Sequence, residues 1–193
     1  RIARPNRPRN SLFGISDKGK LITSYDKGIV SRDITDWYSA GHHANLFSVD
    51  GFRIDCALCI EIQFPKVFRQ YEQLDVDCVV FSAFCDDPMF WTQAQGDAGT
   101  NNLWGSVTTP AQFGTAVQSG LIGPHGYGLP RCEAKMTAQL LRVELDKKSP
   151  NLHVALTIAR FGVAKQDHET FTKPTHKAWS VKPEFGIPIG IDL

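Results

Sequence analysis

Residues 54–62 read Ile-Asp-Cys-Ala-Leu-Cys-Ile-Glu-Ile, an apolar run interrupted by only two carboxylates. A strand that is apolar on both faces has to be covered on both, which points to a layered fold rather than an open sheet. The neighbours of the run agree with that. Asp50-Gly51 precedes it and predicts a hairpin with residues 45–49. Phe64, Val67, Phe68, Tyr71 and Leu74 follow at three- and four-residue steps, the pattern of an amphipathic helix with Pro65 in its first turn. Residues 76–84 read as a short buried strand, and Asp86-Asp87-Pro88 opens a second helix. Residues 103–113 are strand-like, residues 119–132 read as a pair of short strands, and residues 138–146 alternate as a further strand. Upstream, residues 11–30 read as a hairpin turning at Asp17–Lys20, with Gly19 at the position that wants positive φ. Residues 31–43 are polar and turn-rich, a loop. Strands, helix, strand, helix and strands in that order predict a mixed α/β layered fold.

Composition excludes several classes. The 193 residues carry 21 Lys+Arg against 20 Asp+Glu, a net charge of +1, so there is no bulk drive toward nucleic acid or anionic lipid. With 42% hydrophobic and 21% charged residues the chain is globular in proportion, one domain in length, and lacks any apolar run that would span a bilayer. The basic opening has no apolar segment behind it, so it is not read as a secretory signal, and there is no initiator Met, which suggests a start inside a longer protein. There is no dinucleotide-binding glycine fingerprint, no phosphate-binding P-loop, no zinc-protease helix motif and no serine-hydrolase elbow. Five cysteines cannot all pair, and a reducing, cytoplasmic setting is the expectation. Cys56 and Cys59 form a CxxC without a second ligand pair, so no metal and no cofactor is expected; Cys78 reads as a small core hydrophobe.

The chemistry is expected at the end of the buried run. Cys59 sits where strand gives way to helix, and a sharp turn there would expose the thiol. Backbone N–H groups and the positive helix N-terminus favour its thiolate, the nucleophilic form. Lys27 closes the segment Ser24-Tyr25-Asp26-Lys27 at the end of a strand that could neighbour this one. An ammonium group beside a thiolate stabilises it and can hold a developing oxyanion.

These segments resemble the carbon–nitrogen hydrolase (nitrilase) superfamily. Asp50, Gly51, Cys59, Glu61, Phe64, Pro65 and Arg69 stand at the spacings of the family's cysteine motif, and residues 17–30 resemble its lysine motif. Weaker similarity runs through residues 77–84, 97–104 and 119–129, so that about residues 10–146 are covered. The resemblance implies a four-layer α-β-β-α sandwich over residues 1–193, incomplete at its N-terminus, with about residues 170–193 as a tail or arm. It implies hydrolysis of a non-peptide C–N bond in a small amide, carbamoyl compound or nitrile. Cys59 would be the nucleophile, and Lys27 with the backbone N–H of Ile60 would hold the oxyanion. Asp36 would be the second acid that often follows the lysine. A homodimer or larger homo-oligomer is implied as well. The family's general base is a glutamate well before the lysine, and here only Asp17 and Asp26 precede Lys27, so impaired turnover is expected. The alternative is a non-catalytic binding module that keeps the fold.

Other residues have plainer readings. Glu61 is expected to be structural, pairing with Arg69 or another buried partner. His42 and His43 read as loop residues, and Asn101 and Asn102 as satisfying backbone groups. Trp37, Tyr38, Phe90 and Trp91 could shape an aromatic pocket or simply pack.

Overall fold

The structure, a computed structural model, describes residues 7–41 and 44–160. His42, His43 and the proposed tail lie outside them. Its centre is a six-stranded sheet in the order β3-β4-β5-β6-β7-β8. The strands are β3 (Phe47–Val49), β4 (Phe52–Leu58), β5 (Cys78–Ser82), β6 (Trp104–Thr108), β7 (Gly120–Ile122) and β8 (Gly128–Arg131). β4, β5 and β6 are parallel and are joined by the crossover helices α1 (Pro65–Gln73) and α2 (Met89–Asn101). The other pairings are antiparallel. A separate hairpin, β1 (Ser11–Ile15) with β2 (Leu21–Asp26), forms a second, two-stranded sheet.

Alternation along the parallel strands sorts the core. Ala57, Val79, Phe81 and Val107 pack with Phe68 and Tyr71 of α1 and Phe90, Trp91, Ala94 and Ala98 of α2. Cys56, Leu58 and Val80 point the other way, onto Leu12 and Tyr25 of the hairpin. Further along that second face Cys78, Trp104 and Leu121 meet Leu152 and Leu156 of the C-terminal segment. The run 54–62 is therefore apolar on both faces because a helix layer covers one and a second β layer the other. Among the described residues, helices, sheet and hairpin make three layers.

Both hairpins turn where the sequence indicates. Asp50 and Gly51 have φ of 49° and 79°, and Gly19 has φ of 71°. Residues 138–146 differ from expectation. Leu141, Val143 and Leu145 are inward and Arg142 and Glu144 exposed, as strand alternation demands. Yet the segment pairs with no strand among the described residues. Regular secondary structure needs a hydrogen-bonded neighbour as well as a pattern.

The segment after it is anchored by one carboxylate. Asp77, just before β5, accepts the Arg53 N–H at 2.8 Å, Lys147 Nζ at 2.6 Å and an Arg160 guanidinium N–H at 2.9 Å. Arg160 also donates to the Val76 carbonyl at 3.0 Å. Burial alone would push the Asp77 carboxyl up, but these donors outweigh it and hold the group below the usual carboxylate range.

Candidate active site

β4 ends at Leu58, and Cys59 does not continue it. The backbone turns there with φ of 51° at Cys59, a left-handed conformation that costs a non-glycine residue about 1–2 kcal/mol. A 3-10 turn, Cys59–Gln63, starts at this residue and leads into α1. The thiol thus stands at the C-terminal end of a central parallel strand, where open α/β sheets place ligands. Its side chain is half-buried against the core under the helices.

The other half of the CxxC is different in kind. Cys56 is fully buried within β4, and both cysteines are free. Burial, with the nearby Asp55 adding to it, pushes the Cys56 thiol up to about 12, and burial does the same for Cys78. Neither is a nucleophile at neutral pH.

Lys27 lies one residue past β2 and is 3% exposed. Its N–H donates to the Asn10 carbonyl and its own carbonyl accepts from Gly41 N–H, both at 2.8 Å. A Cβ on Gly41 would collide with the Asp26 carbonyl, so this close approach requires glycine. Asp26 turns away from Lys27 and is held by Ser11 and Arg9, which keep its carboxyl below the usual range. β2 is not hydrogen-bonded beside β4; it packs across the sheet face through Tyr25.

Glu61 joins the two segments. It is 1% exposed and follows Cys59 by two residues. Oε1 accepts the backbone N–H of Gly28 at 2.6 Å and of Ile29 at 3.0 Å. Oε2 accepts the Tyr25 hydroxyl and the Leu58 N–H, each at 2.7 Å. Burial and the adjacent carboxylate raise the Tyr25 hydroxyl above its ordinary range, so it remains a donor. The expected partner Arg69 is not among these, and the acceptor capacity of the carboxylate is filled by the four donors named. An acid inside an apolar run, third in the turn after β4, was the signal available in sequence; its donors, Tyr25, Gly28 and Ile29, gave none.

Tyr71 adds a bond from its hydroxyl to the Cys56 carbonyl at 2.5 Å. Asp55 is fully buried. Its Oδ1 accepts the Asn45 and Cys56 N–H groups and its Oδ2 has no partner among the described residues, so burial pushes its carboxyl up.

The structure does not bring Asp36 to this site. Its side chain is 89% exposed and faces Arg7 across 3.9 Å. Ile60 follows Cys59 in the 3-10 turn, where its N–H is adjacent to the thiol in sequence. Tyr38 lines a shallow depression of ≈ 500 Å³ with Gly28, Ile29 and Thr35, beside the lysine segment. Trp37 is exposed, whereas Phe90 and Trp91 are core residues. A larger cavity of ≈ 570 Å³ lies between β5–β7 and residues 132–145 and includes neither Lys27 nor Cys59. Among the described residues no three His, Cys, Asp or Glu side chains group to hold a metal, and no helix is long and apolar enough to cross a membrane.

No protein-family model and no curated protein matches the sequence. Solved structures do match. XC1258 from Xanthomonas campestris, a CN-hydrolase superfamily protein with an arsenic adduct in its active site, aligns with TM-score 0.65 and 19% identity over 80% of this chain and 63% of that one. Nit3 of Saccharomyces cerevisiae, a member of branch 10 of the nitrilase superfamily, aligns with TM-score 0.58 and 14% identity over 66% of this chain and 50% of that one. A mutant amidase from Nesterenkonia sp. AN1, bearing acrylamide added to its active-site cysteine, aligns with TM-score 0.55 and 15% identity over 65% of this chain and 58% of that one. The chain spans half to under two-thirds of the length of these proteins. Over the aligned residues, it has the fold of the carbon–nitrogen hydrolase superfamily.

Proposed function

We propose that this chain carries the nucleophile half of a carbon–nitrogen hydrolase site, acting on a small amide, carbamoyl compound or nitrile. One observation supports this above the rest. Cys59 is held in a left-handed turn at the end of a parallel strand, and the same carboxylate binds the backbone beside it and the backbone beside Lys27. On an amide or carbamoyl substrate, the Cys59 thiolate adds to the carbonyl carbon, and Lys27 with the Ile60 N–H holds the oxyanion. Collapse breaks the C–N bond and expels the amine, which takes a proton from solvent in place of the one the thiol released there. Water then cleaves the thioester, releasing the acid and restoring the thiol. Asp36 would act in this scheme only if its loop folded inward from where it now stands.

Among the described residues, none is assigned as the general base. Glu61 has both oxygens engaged and Asp26 is tied to Ser11 and Arg9. A non-catalytic binding module that keeps the fold is the second reading. Dimerisation is part of the proposal. Phe13, Ile15 and Leu21 are more than half exposed on the hairpin, an apolar surface suited to a partner.

The test is the rate of iodoacetamide labelling of each cysteine against pH, read by peptide mass spectrometry. Cys59 should label ahead of Cys85 and Cys132 at every pH sampled. Ammonia release from an amide panel, with Cys59→Ala as control, then separates capture from turnover. Labelling of Cys59 no faster than the others would end the assignment.

A further inference from the structure

We infer that Glu61 is a positioning residue, a strut that sets the Lys27 segment against the Cys59 turn so that neither can shift without the other. This rests on the nucleophile assignment above only for its catalytic consequence. The mechanical part stands on geometry alone.

A carboxylate at 1% exposure is expensive to keep unless its lone pairs are satisfied. Here they are, and by an unusual set. Three of the four donors are backbone N–H groups, at Gly28, Ile29 and Leu58, and the fourth is the Tyr25 hydroxyl. Gly28 and Ile29 directly follow Lys27, and Leu58 directly precedes Cys59. The lysine segment and the cysteine turn belong to different sheets and lie more than thirty residues apart in sequence. No strand pairing joins them among the described residues. Asn45 also links β2 to β4, through the Ser24 carbonyl and Asp55, but among the described residues only Glu61 bonds the Lys27 segment to the Cys59 turn.

The chemistry also explains why this residue is an acid. Two N–H groups converge on Oε1, while an O–H and an N–H converge on Oε2. A carboxylate accepts on both oxygens; an amide accepts on one and donates on the other. Glutamine would turn its NH₂ toward at least one N–H donor, leaving that donor unsatisfied and pushing the two segments apart. The Leu58 N–H that Glu61 accepts is the N-terminal amide of the 3-10 turn, so the same bond that joins the segments caps the turn.

The experiment compares wild type, Glu61→Gln and Tyr25→Phe by hydrogen exchange and by Cys59 labelling. In Glu61→Gln, amide protection around residues 28–29 and around residue 58 should fall together, while peptides in α1, β5 and β6 keep theirs. The iodoacetamide rate at Cys59 should drop at least tenfold at pH 7. Tyr25→Phe, which removes one donor and keeps three, should shift both readouts in the same direction by less. Loosening of only one segment, or of neither, in both variants would overturn the strut. If Glu61→Gln fails to fold, Tyr25→Phe decides by the same criterion. A wild-type Cys59 that labels slowly would refute the nucleophile assignment, while coupled loss of protection would still support the strut.

Discussion

Replacing Asp77 by alanine should destabilise the protein by about 3 kcal/mol at neutral pH, and the figure can be built from its partners. Arg160 is 13% exposed and makes a charge-assisted bond to Asp77, worth roughly 1.5–3 kcal/mol. The Arg53 N–H at 2.8 Å adds roughly 1 kcal/mol. Lys147 is 41% exposed, and pairs of that kind contribute roughly 1 kcal/mol or less. The bond from Arg160 to the Val76 carbonyl survives and keeps the loss near the lower end for breaking a buried ion pair, ~3 kcal/mol. The sign with pH follows from the lowered carboxyl. An acid whose native pKa lies below its unfolded value stabilises the fold above that unfolded value, 3.8 here, and loses the effect as pH falls through the native one. Urea unfolding of wild type, Asp77→Ala and Lys147→Ala at pH 7 and at intervals below pH 4 measures this. Asp77→Ala should lose about three times as much as Lys147→Ala, and the gap to wild type should close in acid. A loss below ~1 kcal/mol at pH 7, or a gap independent of pH, would refute the reasoning.

Three more outcomes are expected. Cys59→Gly should be more stable than Cys59→Ala by ~1 kcal/mol, since only glycine adopts φ of 51° without strain; thermal or urea unfolding checks the order. Tyr71→Phe should cost about 1–2 kcal/mol by orphaning the buried Cys56 carbonyl, with little effect on Cys59 labelling. Burial raises the Asp97 carboxyl to about 6, above its unfolded 3.8, so its protonated form stabilises the fold at low pH and the contribution fades as pH rises through 6. Asp97→Asn should therefore gain stability relative to wild type at pH 7 and little at pH 4, read as the difference in unfolding midpoints.

Much of the architecture was legible in local pattern. Residues 54–62 demanded cover on both sides and received it from α1 and α2 on one face and the hairpin on the other. Asp50-Gly51 and Gly19 marked turns because their conformations are costly for other residues. Cys59 was legible as a strand-to-turn boundary, although its left-handed backbone was not, since nothing local distinguishes a strained cysteine from an extended one. What escaped was tertiary. Tyr25 packs across the sheet instead of Lys27's strand lying beside β4, and the four donors of Glu61 come from two distant segments. Asp36 is spaced as an acid of the site but sits on a loop whose course depends on Arg7 and the lysine segment. Residues 138–146 carry a strand's alternation without a strand's partner, a distinction that no sequence window contains.

That last segment has a practical consequence. Residues 136–145 cross the face of the sheet with little backbone bonding among the described residues, while both flanks are secured. β8 holds one flank in the sheet, and Asp77, Trp104 and Leu121 hold the other through Lys147, Arg160, Leu152 and Leu156. A protease that cuts once within the segment should leave a nicked molecule whose pieces stay associated through folding contacts alone. The seam is then a place to divide the gene into two unequal pieces, expressed separately and tested for reassociation.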